Sequence, residues 1–323
     1  MSEKVKAKVI RSSKRQFLCR LSSGERVDAT AKGKLLKDDT IVVGDNVTLS
    51  KIAETGEFQI DEVTPRESEI FRISVREQKK KVTAANCDLL VILSSVSRPS
   101  YKQGIVDRFL VRACQWQVKP IVVFNKCDQL DSEEEKVDLK FETERLKLLG
   151  VEVYEISAVM MENYRPQNLD LGWGEFQNAL EGRTALFLGQ SGVGKSKTIS
   201  SLSGGKVDLR THEVGKVGKG SHTTTWSELI NLPTFDLIDS PGIRSFSLND
   251  INPDEILPLF PDLEEISVQC KFNNCKHEES SKGCAFYQND WPASQKACIY
   301  SRLSSYKRIV EEISATPKWS KKL

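Results

Sequence analysis

The chain has no apolar run approaching the ~20 residues that a membrane-spanning helix needs, so no spanning segment is expected. Its first residues, Met1-Ser2-Glu3-Lys4-Val5-Lys6, lack the apolar core of a secretory signal. A large excess of charge is missing too: 47 Lys and Arg face 45 Asp and Glu, a formal net charge of +2. Attraction to nucleic acid therefore cannot come from the total and has to come from local patches. Internal repeats and low-complexity tracts are absent, which sets aside repeat architectures. What is present is ordinary: 39% hydrophobic and 28% charged residues over 323 positions, enough for two or three domains in a cytoplasmic protein.

The 8 cysteines fall into two groups. Cys19, Cys87, Cys114 and Cys127 are scattered through apolar or strand-like surroundings, where a lone cysteine serves as a small buried hydrophobe. Cys270, Cys275 and Cys284 cluster with His277 as Cys-x4-Cys-x-His-x6-Cys. Three thiolates and one imidazole make a closed tetrahedral set, the pattern of a structural zinc ion, with no open catalytic position. Cys298, on the predicted terminal helix, is not expected to be a ligand.

Three regions differ in pattern. Up to about Phe71, short β-friendly stretches (Lys8 to Ile10, Phe17 to Leu21, Arg26 to Ala29, Asn46 to Leu49) alternate with glycine turns. This favours a small antiparallel barrel, of which the OB-fold is one option. A basic segment ending in Lys79-Lys80-Lys81 follows, readable as a solvated linker or as a nucleic-acid contact. Apolar strands then alternate with helical patterns: Asp88–Ser94, Ile121–Phe124, Val151–Ile156, Thr184–Leu188 and Phe235–Ile238. That spacing is the βαβ repeat of a parallel sheet covered on both faces. Helices are predicted through Val106–Ala113, over about Ser132–Leu149 and near Phe176. After Ile251, prolines punctuate a short helical region, the Cys/His cluster follows, and Ser294–Ile313 reads as one amphipathic helix. The expected domains are 1–73, 74–250 and 251–323.

Gly189-Gln190-Ser191-Gly192-Val193-Gly194-Lys195-Ser196 is G-x-x-x-x-G-K-S placed between a strand and a helix. Its backbone N–H groups and the helix N-terminus suit phosphates. Lys195 would reach the β- and γ-phosphates, the Ser196 hydroxyl would bind Mg²⁺, and Lys197 completes the predicted nucleotide-binding run. Asp239-Ser240-Pro241-Gly242 supplies a carboxylate for Mg²⁺ through water and a Gly242 N–H for the γ-phosphate. Between them, Gly215–Thr225 is a Gly-, Lys- and Thr-rich loop suited to order around a γ-phosphate. Thr223, Thr224 or Thr225 would supply a second Mg²⁺ hydroxyl; Thr224 enters the predicted site.

Asn125-Lys126-Cys127-Asp128 follows a strand and has the N-K-x-D form that reads guanine. An ionised Asp128 accepts from N1–H and from the 2-amino group, which adenine lacks. Lys126 would lie along the base, Asn125 would tie the loop to the P-loop, and Ser157-Ala158 would offer a backbone N–H to the guanine carbonyl. The order is unusual. Ras-like GTPases present the P-loop first, whereas here the base-reading motifs precede Gly189. Strands pair laterally, so joining the old termini and opening a new break leaves the same site. The γ-phosphate loops then lie next to the Cys/His region, which should receive the nucleotide state.

The ordered set resembles the RsgA (YjeQ) family of small-subunit-dependent ribosome GTPases over nearly the whole chain. It comprises Val43-Gly44-Asp45, Ala84-Ala85-Asn86-Cys87-Asp88, Asp107-Arg108-Phe109-Leu110, Asn125–Asp128, Gly189–Ser196, Gly220–Thr225, Asp239–Gly242 and the Cys/His cluster. The resemblance implies a multidomain fold: an N-terminal OB-fold β-barrel, an α/β P-loop GTPase of circularly permuted order and a C-terminal α-helical zinc-binding domain. It also implies late maturation of the small ribosomal subunit, with that subunit and its rRNA as partners and GTP/GDP as ligands. A monomer needing zinc and Mg²⁺ is expected. Two departures stand out: Ser221 follows Gly220 where a basic residue is usual, and the His277-to-Cys284 spacing is one residue longer. The position that often carries a water-orienting glutamine is Ile243, so unaided hydrolysis should be slow. His222 is the predicted water-positioning residue, with packing or RNA contact as its other reading. Lys271, Lys276 and Lys282 around the cluster, with Lys307-Arg308 and Lys318–Lys322, suggest rRNA contacts beside the barrel.

Overall fold

The computed structural model describes residues 4–13, 15–33, 35, 41–74, 79–132, 137–207, 227–239 and 247–315. Five strands build the N-terminal barrel: β1 (Lys4–Ser12), β2 (Gln16–Leu21), β3 (Arg26–Ala31), β4 (Asn46–Lys51) and β5 (Phe58–Val63). Alternation explains the pairing face. In β3, Val27, Ala29 and Ala31 point inward while their neighbours are exposed. β1 pairs with both β2 and β4, and β5 joins β4 to β3, closing the barrel. Val9, Cys19, Leu49 and Ile60 are fully buried at its centre. β5 went unread in the sequence because Gln59, Asp61 and Glu62 hide its period.

The basic segment is not a linker where it is described. β6 (Glu69–Ser74) and β7 (Lys79–Ala85) form an antiparallel hairpin that straddles the expected domain boundary at 73/74. Lys80 stands 4.3 Å from the centroid of the Phe71 ring and pairs with Glu69, so this lysine is held by cross-strand contacts.

The central sheet contains β8 (Leu89–Ser95), β9 (Lys119–Asn125), β10 (Glu152–Glu155), β11 (Thr184–Leu188), β12 (Glu228–Asn231) and β13 (Asp236–Asp239). Its order is β10-β9-β8-β11-β13-β12, parallel except for the antiparallel β12. β8 and β11 are buried at every residue, as continuous apolar runs require. Helices α1 (Gln103–Trp116), α2 (Leu139–Lys147), α3 (Trp173–Leu180) and α4 (Lys195–Leu202) accompany the sheet. α2 is shorter than its charged run predicts because Asp138 caps it, accepting from the Phe141 N–H at 2.9 Å. Cys114 also departs from expectation: it lies on the exposed face of α1, not in the core.

β12 is shared. It pairs with β13 on one side, and its Glu228 stands opposite Arg11 of β1, so sheet and barrel are continuous. Beyond residue 251, helices α5 (Pro261–Ser267), α6 (Ala285–Gln288) and α7 (Ala293–Ala315) enclose a separate core around Ile256, Phe260, Leu263, Phe286 and Leu303. Val111 of α1 belongs to that same core, which locks the C-terminal helices onto the sheet layer.

Candidate nucleotide and metal sites

The P-loop leaves β11 at Leu188 and enters α4 at Lys195. Two of its glycines are dictated by close approach. A Cβ at Gly189 would stand 2.2 Å from the Leu93 carbonyl oxygen, and one at Gly194, with φ +101°, would stand 2.4 Å from Asn125 Nδ2. Ser191 and Gly192 are exposed at the loop's mouth, Gln190 is half-buried, and Val193 is buried beneath. Lys195 Nζ donates to the carbonyls of Gly189 (2.7 Å) and Gln190 (2.9 Å), which stretches the ammonium across the loop. Ser196 and Lys197 occupy the first turn of α4.

Asn125, at the end of β9, joins three motifs. Its Nδ2 donates to the Val193 carbonyl at 2.9 Å, and its Oδ1 accepts from the Ala158 N–H at 2.9 Å. The side chain is 2% exposed, so both bonds are desolvated. Lys126 takes a left-handed φ of +66° and donates to the Arg98 carbonyl. Asp128 is exposed in the 3₁₀ turn Cys127–Ser132. Cys127 points the other way: burial, with the Glu155 charge adding, pushes its thiol up and leaves it an inert packing group. Ser157 is buried, and its Oγ accepts from the Met160 N–H at 3.2 Å.

Two contributors escaped the sequence reading. Ser201 Oγ donates to the Ala158 carbonyl at 2.7 Å, tying α4 to the Ser157-Ala158 turn. The loop after β8 touches both motifs: Arg98 accepts from Lys126, and Pro99 lies beside Gly192 of the P-loop. No local pattern marks either, because both act through contacts between distant segments. Asp239 ends β13, half-buried and opposite Glu228. His222, Thr223, Thr224, Thr225, Gly242 and Ile243 lie outside the described residues.

In the C-terminal region, the donor atoms of Cys270, Cys275, His277 and Cys284 all lie within 4.8 Å of one another. His277 Nδ1 stands 3.6 Å from Cys270 Sγ and 4.0 Å from Cys284 Sγ. A tetrahedral ion with bonds of about 2.0–2.3 Å needs ligand separations near those values, so the residues fit a metal ion. The Ala285 N–H donates to Cys270 Sγ at 3.4 Å, a contact that supports a thiolate. Burial, with Lys307 adding, lowers the His277 pKa and favours the neutral imidazole that ligates metal. The additional residue before Cys284 is absorbed in a turn where the Ser281 N–H donates to the Glu278 carbonyl at 2.9 Å.

A parallel sheet with a P-loop after β11 and an N-K-x-D turn after β9 defines a P-loop GTPase, and their chain order makes it a circularly permuted one. A sequence model described as RsgA GTPase matches residues 63–249. Proteins of Pseudomonas aeruginosa strains LESB58 and UCBPP-PA14, each named small ribosomal subunit biogenesis GTPase RsgA, are 34% identical over 279 residues. The alignment covers 85% of this chain and 77% of each of those. The crystal structure of YjeQ from Thermotoga maritima superposes with a TM-score of 0.69 at 23% identity, covering 98% of this chain and 100% of that one. That of YloQ, described as a circularly permuted GTPase, gives 0.69 at 22% identity, covering 98% and 96%. The chain belongs to the RsgA GTPase family and is an enzyme that hydrolyses GTP.

Proposed function

We propose that this GTPase binds the small ribosomal subunit and acts late in its maturation, with hydrolysis stimulated by the subunit. The observation that carries its nucleotide part is Asn125, which holds the P-loop and the Ser157-Ala158 turn in one constellation with Asp128. Family membership and the names of the Pseudomonas relatives support the ribosomal partner.

In this reading Lys195 neutralises charge on the β- and γ-phosphates and the P-loop N–H groups orient them. Asp128 selects guanine, Lys126 lies along the base and Ala158 donates to its carbonyl. Ser196, Thr224 and Asp239 would hold Mg²⁺, which would supply charge neutralisation on the phosphates, and Gly242 would contact the γ-phosphate. Ile243 cannot orient water, so His222 or a group from the subunit does so. Cys270, Cys275, His277 and Cys284 would hold one structural zinc ion, since a Cys₃His set leaves no open position.

The protein works as a cytoplasmic monomer in three parts: an RNA-binding barrel over 1–73, the GTPase over 74–250 and the zinc domain over 251–323. Exposed Lys271, Lys276 and Lys282 beside the cluster suit rRNA phosphates. The test is GTP turnover at low salt, alone and with purified small or large subunits. Strong stimulation by small subunits only is expected; equal turnover with either subunit, or with neither, would sink the ribosomal role while leaving a GTPase.

A further inference from the structure

The interface between α1, α2 and the C-terminal helices holds a charge cluster with almost no solvent. Asp107 of α1 accepts at one oxygen, Oδ1, from Arg145 Nη1 of α2 and Arg302 Nη1 of α7, both at 2.6 Å. The Asp107 and Arg145 side chains are fully buried, and that of Arg302 is 2% exposed. Arg302 also forks onto Asp262 of α5, with both bonds at 3.0 Å. Burying such ions is costly, and in other proteins replacing a buried ion cluster with apolar side chains is often neutral or stabilising, so the cluster is weak evidence of stabilisation.

The cluster leads to the nucleotide site. Arg145 donates from Nε and Nη2 to Glu142 Oε2, at 3.0 and 2.8 Å, and Tyr101 Oη donates to that same oxygen at 2.6 Å. The Tyr101 ring packs on Phe124, with centroids 5.4 Å apart, and Phe124 is the residue before Asn125. Tyr101 also closes the loop whose other members touch the site. Arg98 accepts from Lys126, Ser97 Oγ donates to Gln129 at 2.8 Å, and Pro99 lies against Gly192 of the P-loop.

We propose that Arg302 is a positioning residue for guanine recognition, setting the Asn125–Asp128 turn through Asp107, Arg145, Glu142 and Tyr101. This rests on reading that turn as the base-reading loop. By linkage, whatever engages the C-terminal helices changes guanine-nucleotide affinity, and bound nucleotide changes that engagement by the same factor.

The test uses the full chain and measures GDP and IDP affinities and melting temperature for four variants. Arg302→Met removes the charge while keeping bulk, Tyr101→Phe removes only the hydroxyl, and the third carries both changes. Asp128→Asn reports on the base-reading turn itself. Each of the first two should weaken GDP by about fivefold, the lower end of allosteric coupling, and reduce the preference for GDP over IDP. The double variant should be no weaker than the weaker single one, because both cut the same chain. Tyr101→Phe loses one hydrogen bond and should melt within a few degrees of the wild type, so an affinity measured well below melting cannot reflect unfolding. Unchanged GDP affinity in Tyr101→Phe, additive losses in the double variant, or a lower melting temperature for Arg302→Met at unchanged affinity would overturn the coupling. An Asp128→Asn variant that keeps its guanine preference would instead overturn the base-loop reading on which it rests.

Discussion

Gly194 and Asn125 show how much one position can carry. Gly194 sits at φ +101° with its missing Cβ 2.4 Å from Asn125 Nδ2, so both backbone and neighbour exclude a side chain. Gly194→Ala has to displace Asn125, which is bonded to Val193 and Ala158. Left-handed strain costs ~1–3 kcal/mol, and GDP affinity should fall by at least about tenfold. Titration with a fluorescent GDP analogue checks this; wild-type affinity would mean the loop adapts. The glycine spacing and the N-K-x-D letters were legible as motifs. The contact between them was not, since positions 125 and 194 meet only in the folded sheet.

Among elements, the Cys/His segment has little regular structure of its own, since only short α5 and α6 flank it. Metal binding of this kind is folding free energy for the segment. Cys275→Ser should lower the metal content of the purified protein from about one equivalent to near zero. Amide hydrogens over 270–288 should then exchange faster; unaltered metal content would show that Cys275 is no ligand. The Cys/His cluster was readable from spacing alone, because the four residues lie within one short stretch and the structure brings their donor atoms within 4.8 Å of one another. The β6–β7 hairpin was not, because Lys79-Lys80-Lys81 reads as solvated charge until Phe71 and Glu69 are seen across the strand pair.

For the molecule as a whole, the joint between barrel and sheet is electrostatic as well as hydrogen-bonded. Arg20 of β2 forks onto Asp236 of β13, and Arg11 pairs with Glu228 at 2.6 Å. Burial works against charge on Asp236, but Arg20 and Asn231 outweigh it and hold its pKa below the ordinary value. The unfolded chain therefore takes up this proton at higher pH than the folded one. The stability it confers is present at neutral pH and is lost as pH falls below about 4. Asp236→Asn should melt a few degrees lower than wild type at pH 7, with the gap narrowing in acid. A gap independent of pH would assign the loss to packing.

Local pattern was determined by the sequence itself: the P-loop and N-K-x-D motifs, the Cys/His cluster, the apolar strands and the permuted order are short patterns read from neighbouring residues. Tertiary structure alone decided the rest. It closed the barrel through β5, made β12 common to barrel and sheet, and set Asp107 between Arg145 and Arg302. The reason is physical: lateral strand pairing and buried ion pairs join residues as far as 217 positions apart, and no periodicity along the chain records such a partner.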